Sequence, residues 1–152
     1  MSLQAFRSDQ RGIAIVETVI ALPVLLLILL VVAEFTNAFI QHNTLTKLVR
    51  DGARFVAEDA YVGVSNILDQ NRFDDGRSIV VYGNTSGAGT PLMQGLALNQ
   101  VAASMVAPQI IEVSANYPYT GILGTILPGL TGGGDTSLSF NLVATVSMRA
   151  IN

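Results

Sequence analysis

The sequence predicts an α+β protein: a long N-terminal helix, suited to lipid in its first half and amphipathic in its second, packed on a small antiparallel β-sheet. Three observations predict it. Ile13 to Ala33 is an apolar run carrying a single charge, Glu17. Apolar residues then recur at helical spacing as far as Val56, with charges on the opposite side. Near the C-terminus, apolar and polar residues alternate over a long stretch, the period of a half-covered strand.

Composition narrows the function classes. The 152 residues allow one compact domain beside the apolar run. Half of them are hydrophobic and 12% are charged, against about 25% in soluble domains. A net charge of −3 excludes a nucleic-acid partner, which needs a basic face. With no cysteine there is no disulfide, thiol catalysis or thiolate metal site.

The apolar run is the first element. At 1.5 Å per residue, Ile13 to Ala33 extends about 31 Å, the thickness of a bilayer's hydrocarbon core. Pro23 lies inside it and predicts a kink or a loosened turn. Arg7 and Arg11 precede it, opposed only by Asp9, so the N-terminus stays in the cytoplasm and the chain beyond Ala33 is exported. A cleaved secretory signal is the alternative, but the run is long, holds an acid and a proline, and lacks an Ala-x-Ala site at Ala33-Glu34-Phe35. The cost of Glu17 is the informative quantity. An acid at the centre of a membrane helix costs roughly 2.5–3.5 kcal/mol, less near an end, and a segment that retains one has a use for it.

Phe35, Ala38, His42, Leu45, Val49, Gly52 and Val56 follow steps of three and four, one face of a helix continuing to about Asp59. Lys47, Asp51, Arg54 and Glu58 fall opposite, with alternating signs that support one another and solvate that face. The expected helix therefore runs from about Gly12 to Asp59. His42, the only histidine, has no ligand or catalytic partner in the sequence and reads as a packing or boundary residue.

After Tyr61 the signals change. Asp69 to Arg77 reads as a polar turn, and its acids lack the spacing and closing Glu of an EF-hand. Ser78 to Tyr82 reads as a short strand, followed by a loop through Pro91. Leu96 to Val106 suits a short helix or a strand ending before Pro108. Ile111, Val113, Ala115 and Tyr117 mark a half-buried strand, and Leu138, Phe140, Leu142, Ala144, Val146 and Met148 a longer one. Tyr119 to Asp135 is a Gly/Pro-rich loop whose apolar residues either tuck onto the sheet or, at Ile122, Leu123 and Ile126, offer a partner contact. Gly132-Gly133-Gly134 lacks a following Lys-Ser/Thr and is a turn, not a phosphate loop. No Ser/His/Asp set, HExxH or dinucleotide fingerprint occurs. The acid pair beside a glycine that suggests general acid/base work is Asp74-Asp75, and with no further catalytic group neither an enzymatic activity nor a cofactor or metal site is expected.

Arg11-Gly12-Ile13-Ala14-Ile15-Val16-Glu17, then Ala21-Leu22-Pro23 and the leucine run, resembles the TadE-like family of bacterial tight-adherence (Flp) pilus systems. The likeness continues through Phe39-Ile40-Gln41 and Asp51-Gly52-Ala53-Arg54-Phe55-Val56-Ala57. It implies a pilin-like fold and a minor pilin or pseudopilin role in pilus biogenesis. The implied organisation is a cytoplasmic prepilin-type leader over 1–12, a transmembrane helix over 13–33, its amphipathic extension over 34–60, and a periplasmic α+β domain over 61–152. It further implies cleavage by a prepilin peptidase between Gly12 and Ile13. Glu17 would then pair with the new Ile13 amine of a neighbouring subunit, on a helix that also carries Pro23. The implied partners are that peptidase, the major Flp-type pilin and related minor pilins, an inner-membrane assembly platform and the lipid bilayer. Ile13 departs from the aromatic residue usual at the mature N-terminus of type IV pilins. The alternatives are an uncleaved bitopic scaffold of the same machinery and a membrane-stalked adhesin.

Overall fold

The computed structural model describes residues 6–59, 70–122, 126–127, 136–137 and 140–150. Helix α1 spans Phe6–Asp59. Its C-terminal limit is the expected one; its start lies ahead of Gly12, so the residues before the glycine are helical too. Pro23 sits within α1, and the helix continues unbroken through it even though the ring has no N–H to give the Val19 carbonyl. Thr18 and Thr36 donate their hydroxyls to the carbonyls of Ala14 and Val32, each at 2.8 Å. Polar side chains in an apolar stretch are thereby satisfied within the helix. Among the described residues α1 is the one helix long and apolar enough to cross a membrane.

The chain divides into two units, one ending at Asn37 and one beginning at Ala38. In the second unit, the later part of α1 is joined by α2, Gln70–Tyr82. The sheet comprises β1 (Val101–Ala107), β2 (Ile110–Pro118) and β5 (Asn141–Arg149), in the order β1-β2-β5 and antiparallel throughout. A separate pair joins β3, Ile126–Leu127, to β4, Thr136–Ser137. The expected α+β architecture, a long helix on a small antiparallel sheet, is the one observed.

Burial follows the alternation in β2: Ile111, Val113, Ala115 and Tyr117 point into the core. In β5, Leu142 and Ala144 are buried and Val146 and Met148 pack against the core. Register places Ala115 beside Ala144 and Tyr117 beside Leu142. From α1, Leu45, Val49, Gly52 and Val56 are buried as the stripe predicts, and Ala38 and His42 are half-buried. Phe35 is not part of that face. It is 73% exposed, whereas Glu34 beside it is buried. Arg54 and Glu58 close an exposed ion pair at 2.6 Å, and the hydrogen bond to Glu58 raises the Arg54 pKa above its ordinary value.

The segment read as a turn and a strand is instead a helix. Residues 70–77 and Ser78 to Tyr82 together form α2, and Phe73, Gly76, Ser78, Val80 and Val81 are its buried side. Asp74 and Arg77 pair across one turn at 3.0 Å, and the Ser78 hydroxyl donates to the Asp74 carbonyl at 2.9 Å. Gly76 is therefore no turn residue. A Cβ there would collide with the Val56 side chain, and one at Gly52 would stand 2.8 Å from the Gly76 carbonyl oxygen and against Val80. Two facing glycines let α1 and α2 approach more closely than side chains permit.

Leu96 to Val106 resolves as a 3₁₀ turn, Leu98–Gln100, followed by β1. Strand β5 begins at Asn141, so Phe140 lies outside it. The Phe140 ring stacks on Tyr119 at 4.6 Å, and its carbonyl accepts the Tyr119 N–H at 2.9 Å. Leu138, also expected in this strand, lies outside the described residues.

Tyr117 closes the core beneath the 84–97 loop. It is buried, and its hydroxyl donates to the Gln94 carbonyl at 2.7 Å. Tyr117→Phe is expected to cost about 1 kcal/mol, the net value of such a bond with some penalty for the carbonyl left behind. The measurement is urea unfolding of the full chain in detergent, where the midpoint falls and the slope is unchanged.

Candidate processing and assembly site

Gly12, Ile13, Glu17 and Pro23 all lie on α1 within the first unit. All four are exposed. Because α1 is helical throughout, Ile13 and Glu17 are one turn apart and share a face.

Gly12 is distinctive for what does not surround it. A Cβ placed there meets nothing within 4 Å, and the residue lies inside a helix with no left-handed backbone to accommodate. Glycine at such a position costs roughly 0.5–1 kcal/mol relative to alanine. Gly52 and Gly76 offset that cost through close packing; Gly12 has no such return within the described structure. Whatever requires a glycine there is not the packing of the described residues.

Glu17 is equally without internal explanation. It is flanked on its own face by exposed Ile13, Ile20 and Val24, and among the described residues it has no ion-pair partner. The helix face around it is aliphatic, so lipid or another apolar helix would surround the carboxylate. A charge so placed is strongly driven to find a cation.

The remaining expected contacts are in the second unit. Ile122 is 64% exposed, so it does not tuck onto the sheet. Leu123 lies outside the described residues, and Ile126 is described only by its pairing with Ser137. His42 Nε2 approaches the Val143 carbonyl at 3.3 Å, a contact that ties α1 to β5. Asp74 and Asp75 are consecutive residues of α2, and the described residues include no group of three acids, histidines or cysteines able to hold a metal ion.

Sequence reasoning did not single out the Gly52–Gly76 crossing, nor the exposed apolar side chains of Phe39 and Ile40.

No curated protein and no solved structure matches the chain. Residues 12–54, which contain Gly12, Ile13, Glu17 and Pro23, match the family model described as TadE-like protein, so over this segment the chain is similar to that family.

Proposed function

We propose that the chain is a minor pilin or pseudopilin of a tight-adherence (Flp) pilus, made as a precursor and cut between Gly12 and Ile13 by a prepilin peptidase. The observation that carries this reading is the exposed Glu17 carboxylate, one helical turn from Ile13 on an aliphatic face. In the intact chain the Ile13 nitrogen is a neutral peptide amide. Cleavage turns it into a charged α-amine with three donors, and Glu17 of a neighbouring subunit becomes its counter-ion. Gly12 fits the same chemistry. Without a side chain it lets an enzyme approach the scissile carbonyl, and it is the position in that stretch of helix where unwinding costs least.

In this reading 1–12 is the leader, 13–33 spans the inner membrane and 34–60 extends the helix into the periplasm, where 61–152 folds. The N-terminus is cytoplasmic, because Arg7 and Arg11 resist translocation. The partners are the peptidase, the major Flp-type pilin, related minor pilins and the inner-membrane assembly platform. Membrane residence itself rests on α1, whose apolar run is long enough to anchor the chain.

The test is the N-terminal residue of chain extracted from membranes that contain the peptidase. Ile13 is expected, and Gly12→Val is expected to leave only uncut chain, since a β-branched side chain blocks approach to the carbonyl. Met1 on the unsubstituted chain would instead mark an uncleaved scaffold. A start after Ala33 would mark a secretory signal.

A further inference from the structure

Strand β1 forms one edge of the three-stranded sheet, and bonds along β2 fix which of its backbone groups face outward. Tyr119 donates its N–H to the Phe140 carbonyl, and Ala150 donates its N–H to the Gln109 carbonyl. The odd-numbered positions from 109 to 119 therefore exchange bonds with the β5 side. Consecutive residues of an antiparallel strand turn to opposite neighbours, so Glu112 and Ser114 bond toward β1, to their partners Ser104 and Ala102. Val101, Ala103 and Met105 then turn their N–H and C=O groups away from the sheet. The Val101 N–H is held by the Leu98 carbonyl. Among the described residues nothing bonds to the N–H or C=O of Ala103 or Met105.

An open edge is a template for another strand unless charge, proline or a covering element blocks it. Val101 to Ala107 holds no charged residue and no proline, and the uncharged stretch around it runs from Ser78 to Ile111. Met105 and Val106 are 42% and 54% exposed. The register shift between Met105 and Ala107 lies at the hairpin end and leaves Val101 to Met105 in regular register with β2. The opposite edge differs. On β5 the same alternation turns Val143 outward, and there His42 of α1 meets its carbonyl at 3.3 Å. Arg149 adds a charge at the end of that strand.

We propose that β1 is a docking edge for the β1 strand of a second copy, paired antiparallel about a twofold axis through Ser104. In that register Ala103 of each copy faces Met105 of the other. Their N–H groups donate to the facing carbonyls, so every outward group of both residues gains a partner. A register centred on Ala103 would instead bring in Val101, whose N–H is already taken. The axis stands perpendicular to the sheet, so the covered faces of the two copies stay on one side and their three-stranded sheets become one. Such an interface uses the same strand twice and closes at two copies. The side chains agree with it: long Met105 meets small Ala103, Ser104 meets Ser104, and no like charges are opposed. The inference depends neither on cleavage after Gly12 nor on a role in a pilus.

The chain contains no cysteine, so a single introduced thiol cross-links only to another copy. Opposed residues of a non-hydrogen-bonded antiparallel pair have Cα atoms about 4.5 Å apart, within the roughly 4.4–6.8 Å that a disulfide spans. The full chain in lipid vesicles is oxidised with copper phenanthroline, carrying either Ser104→Cys or Thr145→Cys. Both positions are exposed, and Thr145 lies on the same face at the other edge. Ser104→Cys is expected to give at least about tenfold more disulfide dimer, because its geometry is preset. Adding Ala103→Pro removes an N–H that serves no bond within the sheet, a position where an edge strand tolerates proline. The dimer is then expected to fall to the Thr145→Cys level with the urea midpoint unchanged. Met105→Pro removes the other outward N–H and repeats the test should Ala103→Pro lower the midpoint. Cross-linking of Ser104→Cys no better than that of Thr145→Cys would overturn the proposal. Strong cross-linking that survives both prolines would mark contact without strand pairing and overturn it too. A Ser104→Cys chain that links to a Thr145→Cys chain in a mixture, and not to itself, would assign the edge to head-to-tail pairing of β1 on β5 and remove the twofold axis.

Discussion

Gly52→Ala is expected to destabilise the second unit by at least about 1–3 kcal/mol, the range for an atom forced into a packed interior, and Gly52→Val to unfold it. The added Cβ would stand 2.8 Å from the Gly76 carbonyl oxygen and against the Val80 side chain. Val80 can turn or be shortened; a backbone carbonyl within α2 cannot move alone. The two helices must therefore separate, and Leu45, Val49, Val80 and Val81 lose contacts in the core. A domain of this size has only about 5–15 kcal/mol of total stability. The paired substitutions discriminate the cause. At Gly76 the added Cβ meets the Val56 side chain first, with the Gly52 oxygen at an ordinary 3.5 Å, so Val56→Ala should recover part of the loss caused by Gly76→Ala. Val80→Ala should not recover Gly52→Ala to the same degree. Urea midpoints in detergent of the unsubstituted chain, the four single alanine variants and the two doubles close both cycles, and non-additivity is the quantity of interest. If Gly52→Ala unfolds at the midpoint of the unsubstituted chain, the close crossing of α1 and α2 is wrong.

That crossing also shows where sequence reading loses its hold. Strands β2 and β5 are legible because each has one covered face and a period of two, so Ile111, Val113 and Leu142 declare their side by spacing alone. Leu45, Val49 and Val56 are legible for the corresponding helical reason. Helix α2 is not. Its buried side includes Gly76 and Ser78, which carry no hydrophobic signal, and its β-branched Ile79-Val80-Val81 favours a strand in isolation. Packing against α1 overrides that propensity. The Asp74-Asp75-Gly76 sequence reads as a turn for the same reason: the use of Gly76 is set by Gly52, across the interface. Phe35 fails through register. Glu34 is buried where Phe35 is expected to be, and a period counted in threes and fours does not by itself choose between neighbours. Gly12, Ile13, Glu17 and Pro23 are visible in sequence because they lie on one helix at fixed spacing. Only the structure adds that neither Gly12 nor Glu17 has a purpose in the packing of the described chain.

Glu17→Ala is expected to leave cleavage after Gly12 intact and to abolish incorporation into an assembled pilus-like complex. The carboxylate is not needed to expose the scissile peptide, since Glu17 lies one turn beyond Ile13 and makes no ion pair among the described residues. Its removal matters only once the Ile13 amine exists. In an apolar helix bundle that amine would then be buried without a counter-charge, and breaking a buried pair by deleting one partner costs roughly 3–5 kcal/mol. At about 1.4 kcal/mol per tenfold, this is a loss of roughly two to three and a half orders of magnitude in association. Glu17→Gln should be nearly as damaging, because it keeps the shape and a hydrogen-bond acceptor but not the charge; Glu17→Asp should retain part of the association. The three variants are compared by N-terminal sequencing of the membrane-extracted chain and by its co-purification with partner pilins at equal expression. Cleaved chain with association lost in Ala and Gln, and partly kept in Asp, identifies the charge as the operative property. Equal co-purification of Glu17→Gln and the unsubstituted chain would show that Glu17 has no amine to meet, and the carboxylate would then have to be explained by its position in the lipid alone.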